Sequence, residues 1–140
     1  MMNWLQWSLL SAVFAALTAI LAKVGVSEVD SNVATAIRTS VILVFTWTIA
    51  LTSRNSKAVI PTSGRTWLYL TLSGVATGLS WLCYFRALQL GPASKVAPID
   101  KLSVVLVILL AALFLGERLT VAKLAGGSLI ALGAVMLALE

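Results

Sequence analysis

The chain has 140 residues, of which 60% are hydrophobic and 11% are charged, and its mean hydropathy is +1.02. Soluble domains carry about 25% charged residues, so this chain has too few to coat a water-soluble globule, and lipid is its expected solvent. The net charge of +5 would suggest nucleic-acid binding in a soluble protein, but the basic residues lie at segment ends and in short loops and form no continuous basic face.

Five apolar segments predict an all-α, polytopic membrane protein with transmembrane helices over approximately residues 4–22, 33–52, 66–88, 96–116 and 121–139. Crossing a hydrocarbon core of about 30 Å takes about 20 helical residues, which the first and third segments supply. The other three have shorter uncharged parts. They span only if Arg38, Lys101 and Lys123 lie near helix ends and reach the interface, or face protein or water. A single soluble core is the competing interpretation, but no amphipathic stripe is available to face water.

Residues suited to catalysis or metal binding are scarce. The sequence has no histidine and one cysteine, Cys83, so it predicts no internal disulfide and no Cys/His metal cluster. It contains no G-x-S-x-G, H-E-x-x-H or P-loop motif. The first segment lacks a basic leader and is too long for a secretory signal. We therefore expect no enzyme, no cofactor and no secretory signal.

Basic residues are balanced between the two sides of the predicted membrane. With the N-terminus inside, five of them face the cytoplasm and five the other side: Arg54, Lys57, Arg65, Arg118 and Lys123 against Lys23, Arg38, Arg86, Lys95 and Lys101. Lys/Arg bias sets orientation, so a chain with this balance and an odd number of spans can insert both ways round. Two copies in opposite orientations would recreate the inverted repeat on which many transporters are built.

Asp100 is the acid that lies within or beside an apolar segment, in the stretch Ala97-Pro98-Ile99-Asp100-Lys101. If Pro98 occupies the first helical position, Asp100 is a first-turn acid that the helix dipole stabilises. If the helix starts at Pro92, Pro98 lies inside it and kinks it. The freed carbonyls would then line a cavity in which Asp100 binds substrate or protons. The sequence leaves both interpretations open.

Four basic residues, Arg38, Arg86, Lys95 and Lys101, fall toward one membrane face. They either converge on a cavity and favour a carboxylate or phosphate group on the substrate, or they extend to lipid phosphates.

Trp81 and Tyr84 lie three residues apart and so share a helix face. They either stack on a substrate or pack against the protein. The candidate cavity residues are therefore Arg38, Trp81, Tyr84, Arg86, Asp100 and Lys101.

Small residues mark two predicted helix-packing faces. Gly74 and Gly78 form a G-x-x-x-G on the third segment, and Gly127, Ala131 and Ala134 form a stripe on the fifth. Small residues let helix backbones approach closely in lipid, so the second stripe is also a candidate oligomer contact.

Four stretches carry a resemblance to a known family: Tyr84–Leu88 (YFRAL), Gly91–Ala93 (GPA), Leu115–Thr120 (LGERLT) and Ala125–Gly133 (AGGSLIALG). Together they resemble the EamA-like domain of the drug/metabolite transporter superfamily. The resemblance covers essentially the whole chain, and LGERLT with the helix after it is the most specific part.

The resemblance implies a transporter that moves small polar metabolites, often outward across the plasma membrane, by alternating access. Family members usually carry two such domains related by inversion, so one domain implies pairing with an antiparallel second copy or a sister subunit. The fourth segment has Ser103-Val104 where many members have Glu-Pro, and the first segment has no acid. The related small multidrug resistance proteins bind protons and cations with a glutamate there, so proton-coupled export of cationic drugs is not implied.

We predict a multi-pass transporter of the plasma (inner) membrane that works as a dimer of five-helix units, with cavity walls from the first four segments. Its expected partners are the lipid bilayer, a small-molecule substrate and the second subunit, with no nucleic acid. The alternative is a non-transporting scaffold or regulatory subunit, which would have no use for Arg38 and Asp100 inside apolar segments. A membrane enzyme is the third possibility.

Overall fold

The computed structural model describes residues 3–52 and 63–140, and these residues form helices joined by short loops without strands. The helices are α1 (Trp4–Gly25), α2 (Ser31–Thr52), α3 (Gly64–Leu90), α4 (Ala93–Asp100), α5 (Ser103–Phe114) and α6 (Val121–Leu139). Within the described ranges, five spans are long and apolar enough to cross a membrane, with residues 93–114 counted as one span. The predicted all-α fold with five membrane-spanning helices is confirmed. Arg54 and Lys57, which entered the charge count, lie outside the described residues.

The apolar side chains of these helices are mostly exposed. Leu113 is 74% exposed and Leu129 is 70% exposed, and the buried hydrophobic residues are few and mainly small, as at Ala19 and Ala134. Exposure of so much apolar surface to water would be strongly unfavourable. Helices satisfy their backbone hydrogen bonds internally, which is what a hydrocarbon solvent requires. The exposed surface is therefore the surface that faces lipid or a partner chain.

The chain divides into two compact units, one of residues up to 23 together with residues 90–140, and the other of residues 24–89. In the first unit, α5 and α6 meet at a corner built from the LGERLT motif. Gly116 adopts a positive φ of 67°, which ends α5 and reverses the chain. The Thr120 side chain then caps α6 by accepting from the Lys123 N–H at 3.2 Å, and Lys123 Nζ lies 2.7 Å from Glu117 Oε2.

Helix α6 packs closely against α5 at Gly127. A Cβ added to this glycine would lie 3.4 Å from Ile108 Cδ1 and 4.0 Å from Val105 Cγ2. Ala134, two turns further along the small-residue stripe, is only 4% exposed. The absence of larger side chains along this face allows the helices to approach, as helix association in lipid requires.

The fourth span is broken. It begins at Ala93, earlier than predicted, and Pro98 lies inside α4. Because proline has no N–H to donate, the regular hydrogen-bond ladder is interrupted there. Lys101 N–H instead donates to the Pro98 carbonyl and Leu102 N–H to the Ile99 carbonyl, each at 3.0 Å, before α5 starts at Ser103. Of the two starts left open by the sequence, the structure has the earlier one.

Candidate functional site

In the second unit, four polar residues of α2 lie along one side of the helix and form a stripe. Asn32, Thr35, Thr39 and Ser40 recur at helical spacing and line a groove of about 390 Å³, together with Ala36 and Leu43 of the same helix and residues of α3. On the α3 side the lining residues are Gly78 and Leu82. Among the described atoms, none would lie within 4 Å of a Cβ at Gly78, so this glycine leaves space in the groove.

The hydroxyls of this stripe are held by their own helix. Thr35 Oγ1 donates to the Ser31 carbonyl at 2.7 Å, and Thr39 Oγ1 donates to the Thr35 carbonyl at 2.8 Å. Bonding of this kind satisfies the hydroxyl proton without leaving the helix. The hydroxyl oxygens remain acceptors, so the groove offers hydrogen-bond acceptors to a polar solute at little cost in lipid.

Arg38 and Trp81, two of the predicted cavity residues, are brought together by α2 and α3. The Arg38 guanidinium carbon lies 4.3 Å from the centroid of the Trp81 ring and 5.4 Å from the centroid of the Phe85 ring. Such cation–π contacts partly compensate a cation for the loss of water. In the part of the chain that the structure describes, no carboxylate lies within 4 Å of the Arg38 guanidinium.

The Arg38 stack borders the groove. Thr35 and Thr39, which line the groove, are the residues one turn before Arg38 and directly after it, and Trp81 lies between the lining residues Gly78 and Leu82 on α3. Tyr84, also predicted for the cavity, is half-buried next to Phe85 and is not among the lining residues.

Arg86 takes part in a different contact, at the end of α3. Its Nη1 donates to Gln89 Oε1 at 3.0 Å. Gln89 Nε2 in turn donates to the Val26 carbonyl at 3.2 Å and to the Val29 carbonyl at 2.7 Å. One amide side chain therefore ties the loop between α1 and α2 to the end of α3.

Asp100 and Lys101 lie in the other unit, at the break between α4 and α5, where Lys101 Nζ is 3.1 Å from Asp100 Oδ2. Asp100 is the last residue of α4, so it is not the first-turn acid of one of the two interpretations. Their part in a substrate cavity stays a prediction.

Of the predicted packing residues, Gly127 and Ala134 lie in buried positions and Ala131 is half-buried. Gly74, like Gly78, has no described atom within 4 Å of where a Cβ would lie. A packing role for Gly74 and Gly78 therefore needs a partner chain and stays a prediction.

Sequence reasoning missed the polar stripe of α2 and missed Gln89. The stripe had a signal, because hydroxyl and amide residues at positions 32, 35, 39 and 40 recur at helical spacing within an apolar segment. Gln89 had none, since its role depends on loop carbonyls about 60 residues earlier in the chain.

Five apolar spans, with an open groove between two of them that hydroxyl and amide side chains line in part, define a polytopic membrane protein. The model of the EamA-like transporter family matches residues 2–139, and the chain belongs to that family, whose members are membrane transporters. A protein of Sinorhizobium sp, named "Uncharacterized transporter in cobO 3'region", is 56% identical over 138 residues, which cover 97% of this chain and 96% of that protein. No solved structure matches the chain.

Proposed function

We propose that this transporter moves small polar metabolites across the plasma membrane by alternating access, working as a dimer of five-helix units. The observation that carries the proposal is the groove between α2 and α3. Asn32, Thr35, Thr39 and Ser40 give it hydrogen-bonding groups, while the outer surface of the same spans is apolar. Polar side chains in the wall of a groove within an apolar span have a use when a polar solute must pass.

The broken fourth span supports the same proposal. Discontinuous transmembrane helices place backbone carbonyls and helix ends at binding sites in many transporters. Here the break carries the Asp100–Lys101 pair. Ionisable groups are costly to place in a membrane and therefore usually mark functional sites. We propose that this pair contacts the substrate or helps the span to move.

The dimer is proposed from surface and charge. The face of α3 around Gly74 has no described neighbour within 4 Å, and ten basic residues divide evenly between the two predicted sides of the membrane. An antiparallel homodimer accounts for both features, with a sister subunit as the other way to complete the unit. A reporter fused to Glu140 should give signal on both sides of the membrane for the homodimer. Signal on one side alone would rule out the antiparallel homodimer.

The test of transport is uptake of a panel of polar metabolites into proteoliposomes, comparing Thr39→Val with Thr48→Val. Both threonines donate to the carbonyl four residues earlier at 2.8 Å, but only Thr39 lines the groove. We expect Thr39→Val to slow uptake several-fold and Thr48→Val to leave it unchanged. No uptake above empty liposomes, or equal uptake by the two variants, would contradict the proposal and favour a scaffold.

A further inference from the structure

We propose that Arg38 is an anion-binding residue and that the solute taken up in the groove is a small organic carboxylate. The proposal deepens the proposed transport function, and rests on it for the statement that the bound anion is cargo. It starts from the position of Arg38. The residue lies seven positions after the first residue of α2, roughly 10 Å along the axis at 1.5 Å per residue.

The Arg38 guanidinium is held against two rings of α3. An arginine that served lipid phosphates would extend to the helix end, whereas Arg38 turns toward α3 and lies over Trp81 at 4.3 Å and Phe85 at 5.4 Å. Trp81 and Phe85 are four residues apart, so both rings lie on one face of α3. The stack keeps the cation beside the groove of its own unit.

Stacking leaves the hydrogen-bonding edge of the guanidinium available. The five N–H donors of arginine lie in the plane of the group, so rings that cover its face consume none of them. Among the described residues, Arg38 has neither an ion-pair partner nor a hydrogen-bond acceptor for these donors. A half-buried cation with an unused planar donor fork is complementary to an anion.

None of the acidic residues of the described chain, Glu28 and Glu140 included, lies within 4 Å of the Arg38 guanidinium. Asp100 pairs with Lys101 and Glu117 pairs with Lys123. Asp30 accepts from the Asn32 N–H at 2.8 Å and the Val33 N–H at 3.3 Å, and so caps α2. The anion for Arg38 is therefore expected from outside the chain.

The chemistry of the site favours a carboxylate with donor groups on the rest of the molecule. A planar carboxylate pairs with a guanidinium through two parallel hydrogen bonds. The neighbouring Thr35 and Thr39 hydroxyls donate to their own helix, so they present acceptors to the solute. A small hydroxy acid can accept hydrogen bonds from the guanidinium with its carboxylate and donate one to a threonine hydroxyl with its own hydroxyl group.

The test is titration calorimetry on the full chain in detergent micelles, with glycolate as probe, ethylene glycol as its uncharged counterpart and inorganic phosphate as the other anion. We expect glycolate to bind and ethylene glycol not to bind. Arg38→Gln should weaken glycolate binding about tenfold or more, because one charge-assisted pair is lost. Arg65→Gln is the matched control, since Arg65 also lies over a ring, Tyr69 at 5.7 Å, but at the start of α3.

A second variant protects the test against misfolding. Arg38→Lys keeps the charge and a cation–π contact but loses the planar fork, so a folded Arg38→Lys protein should lose severalfold in glycolate affinity. Unchanged affinity in Arg38→Gln, or no glycolate binding by the unsubstituted chain, would overturn the proposal. Phosphate binding tighter than glycolate binding, abolished by added phosphatidylglycerol, would overturn it in favour of a lipid-phosphate site.

The two proposals fail separately. Arg38-dependent glycolate binding without uptake of any solute by proteoliposomes would leave the anion site standing and reject transport. Uptake of neutral polar solutes without glycolate binding would leave transport standing and reject the carboxylate as cargo.

Discussion

The corner between α5 and α6 and the hairpin of α2 and α3 use glycine in opposite ways. At the corner, Gly127 lets Ile108 approach to within 3.4 Å of where its Cβ would lie. In the hairpin, Gly78 lines the groove and has no described atom that close. A glycine that lets two helices pack closely stabilises the fold, whereas a glycine that leaves a groove open makes room for a ligand. The most specific of the family-like stretches, LGERLT, lies in the first region, and the groove lies in the second.

Lipid explains why the two regions can differ so much. Apolar surface costs nothing to expose to lipid, so helices associate only where backbones fit closely. The α2 hydroxyls are satisfied by their own carbonyls, so the hairpin does not have to close to bury them. The groove of the second unit can therefore stay open, while the corner of the first unit is tightly packed.

Substitution of Gly127 or Gly78 by leucine should give the largest effects, and it distinguishes a glycine that packs against a neighbour from one that leaves open space. Gly127→Leu forces a branched side chain against Ile108 and should destabilise the protein by about 1–3 kcal/mol, the usual cost of overpacking. Gly78→Leu should not destabilise the protein, because leucine favours a helix more than glycine does, but it should fill the groove and reduce uptake strongly. Thermal unfolding in micelles and proteoliposome flux measure the two effects. Equal destabilisation by both variants would show that the hairpin is closed in solution.

The turn at Gly116 should give the next largest effect on stability. Gly116 has a φ of 67°, which costs a residue with a Cβ about 1–2 kcal/mol. Gly116→Ala should therefore lower the free energy of unfolding by about that amount. Gly133→Ala is the control, because Gly133 lies in α6 with no described atom within 4 Å of its Cβ position, and alanine there favours the helix. An unchanged melting temperature for Gly116→Ala would show that the corner does not need this turn.

Hydropathy and motif predicted the corner better than the hairpin. The five spans follow from apolar runs, because a lipid-spanning segment must be helical and apolar. The fourth span shows the limit: the sequence allowed a start at Pro92 or at Pro98, and the choice depends on whether the chain tolerates a proline inside a helix. It does, by changing to shorter-range hydrogen bonds around Lys101 and Leu102.

The candidate site was predictable only in part. Arg38 and Trp81 were singled out because a charge and an aromatic residue inside apolar segments need a reason, and they do meet. The hydroxyl stripe was missed because threonine and serine change hydropathy little. The contacts of Gln89 join residues far apart in the chain, and no local pattern encodes them.

Removal of the Gln89 amide tests whether the hairpin depends on a few polar ties. Gln89→Met loses two hydrogen bonds to loop carbonyls, and we expect a loss of about 1 kcal/mol, as for typical intramolecular hydrogen bonds. Amide hydrogen exchange should rise around residues 26–30. Arg86→Met is the control, because it removes the bond to Gln89 Oε1 but keeps both donors to the loop. Equal exchange in the two variants would show that the amide donors do not hold the loop.

The salt bridge at the corner should give the smallest effect. Lys123 Nζ lies 2.7 Å from Glu117 Oε2, with the two side chains 39% and 51% exposed. Exposed pairs contribute about 0.5 kcal/mol or less, so Glu117→Gln should change the melting temperature only slightly and less so at high salt. Asp100→Asn, which breaks the other pair, is the comparison. If Glu117→Gln preserved folding but stopped uptake, Glu117 would belong to the transport machinery. The packed corner would then have a role in transport as well as in stability.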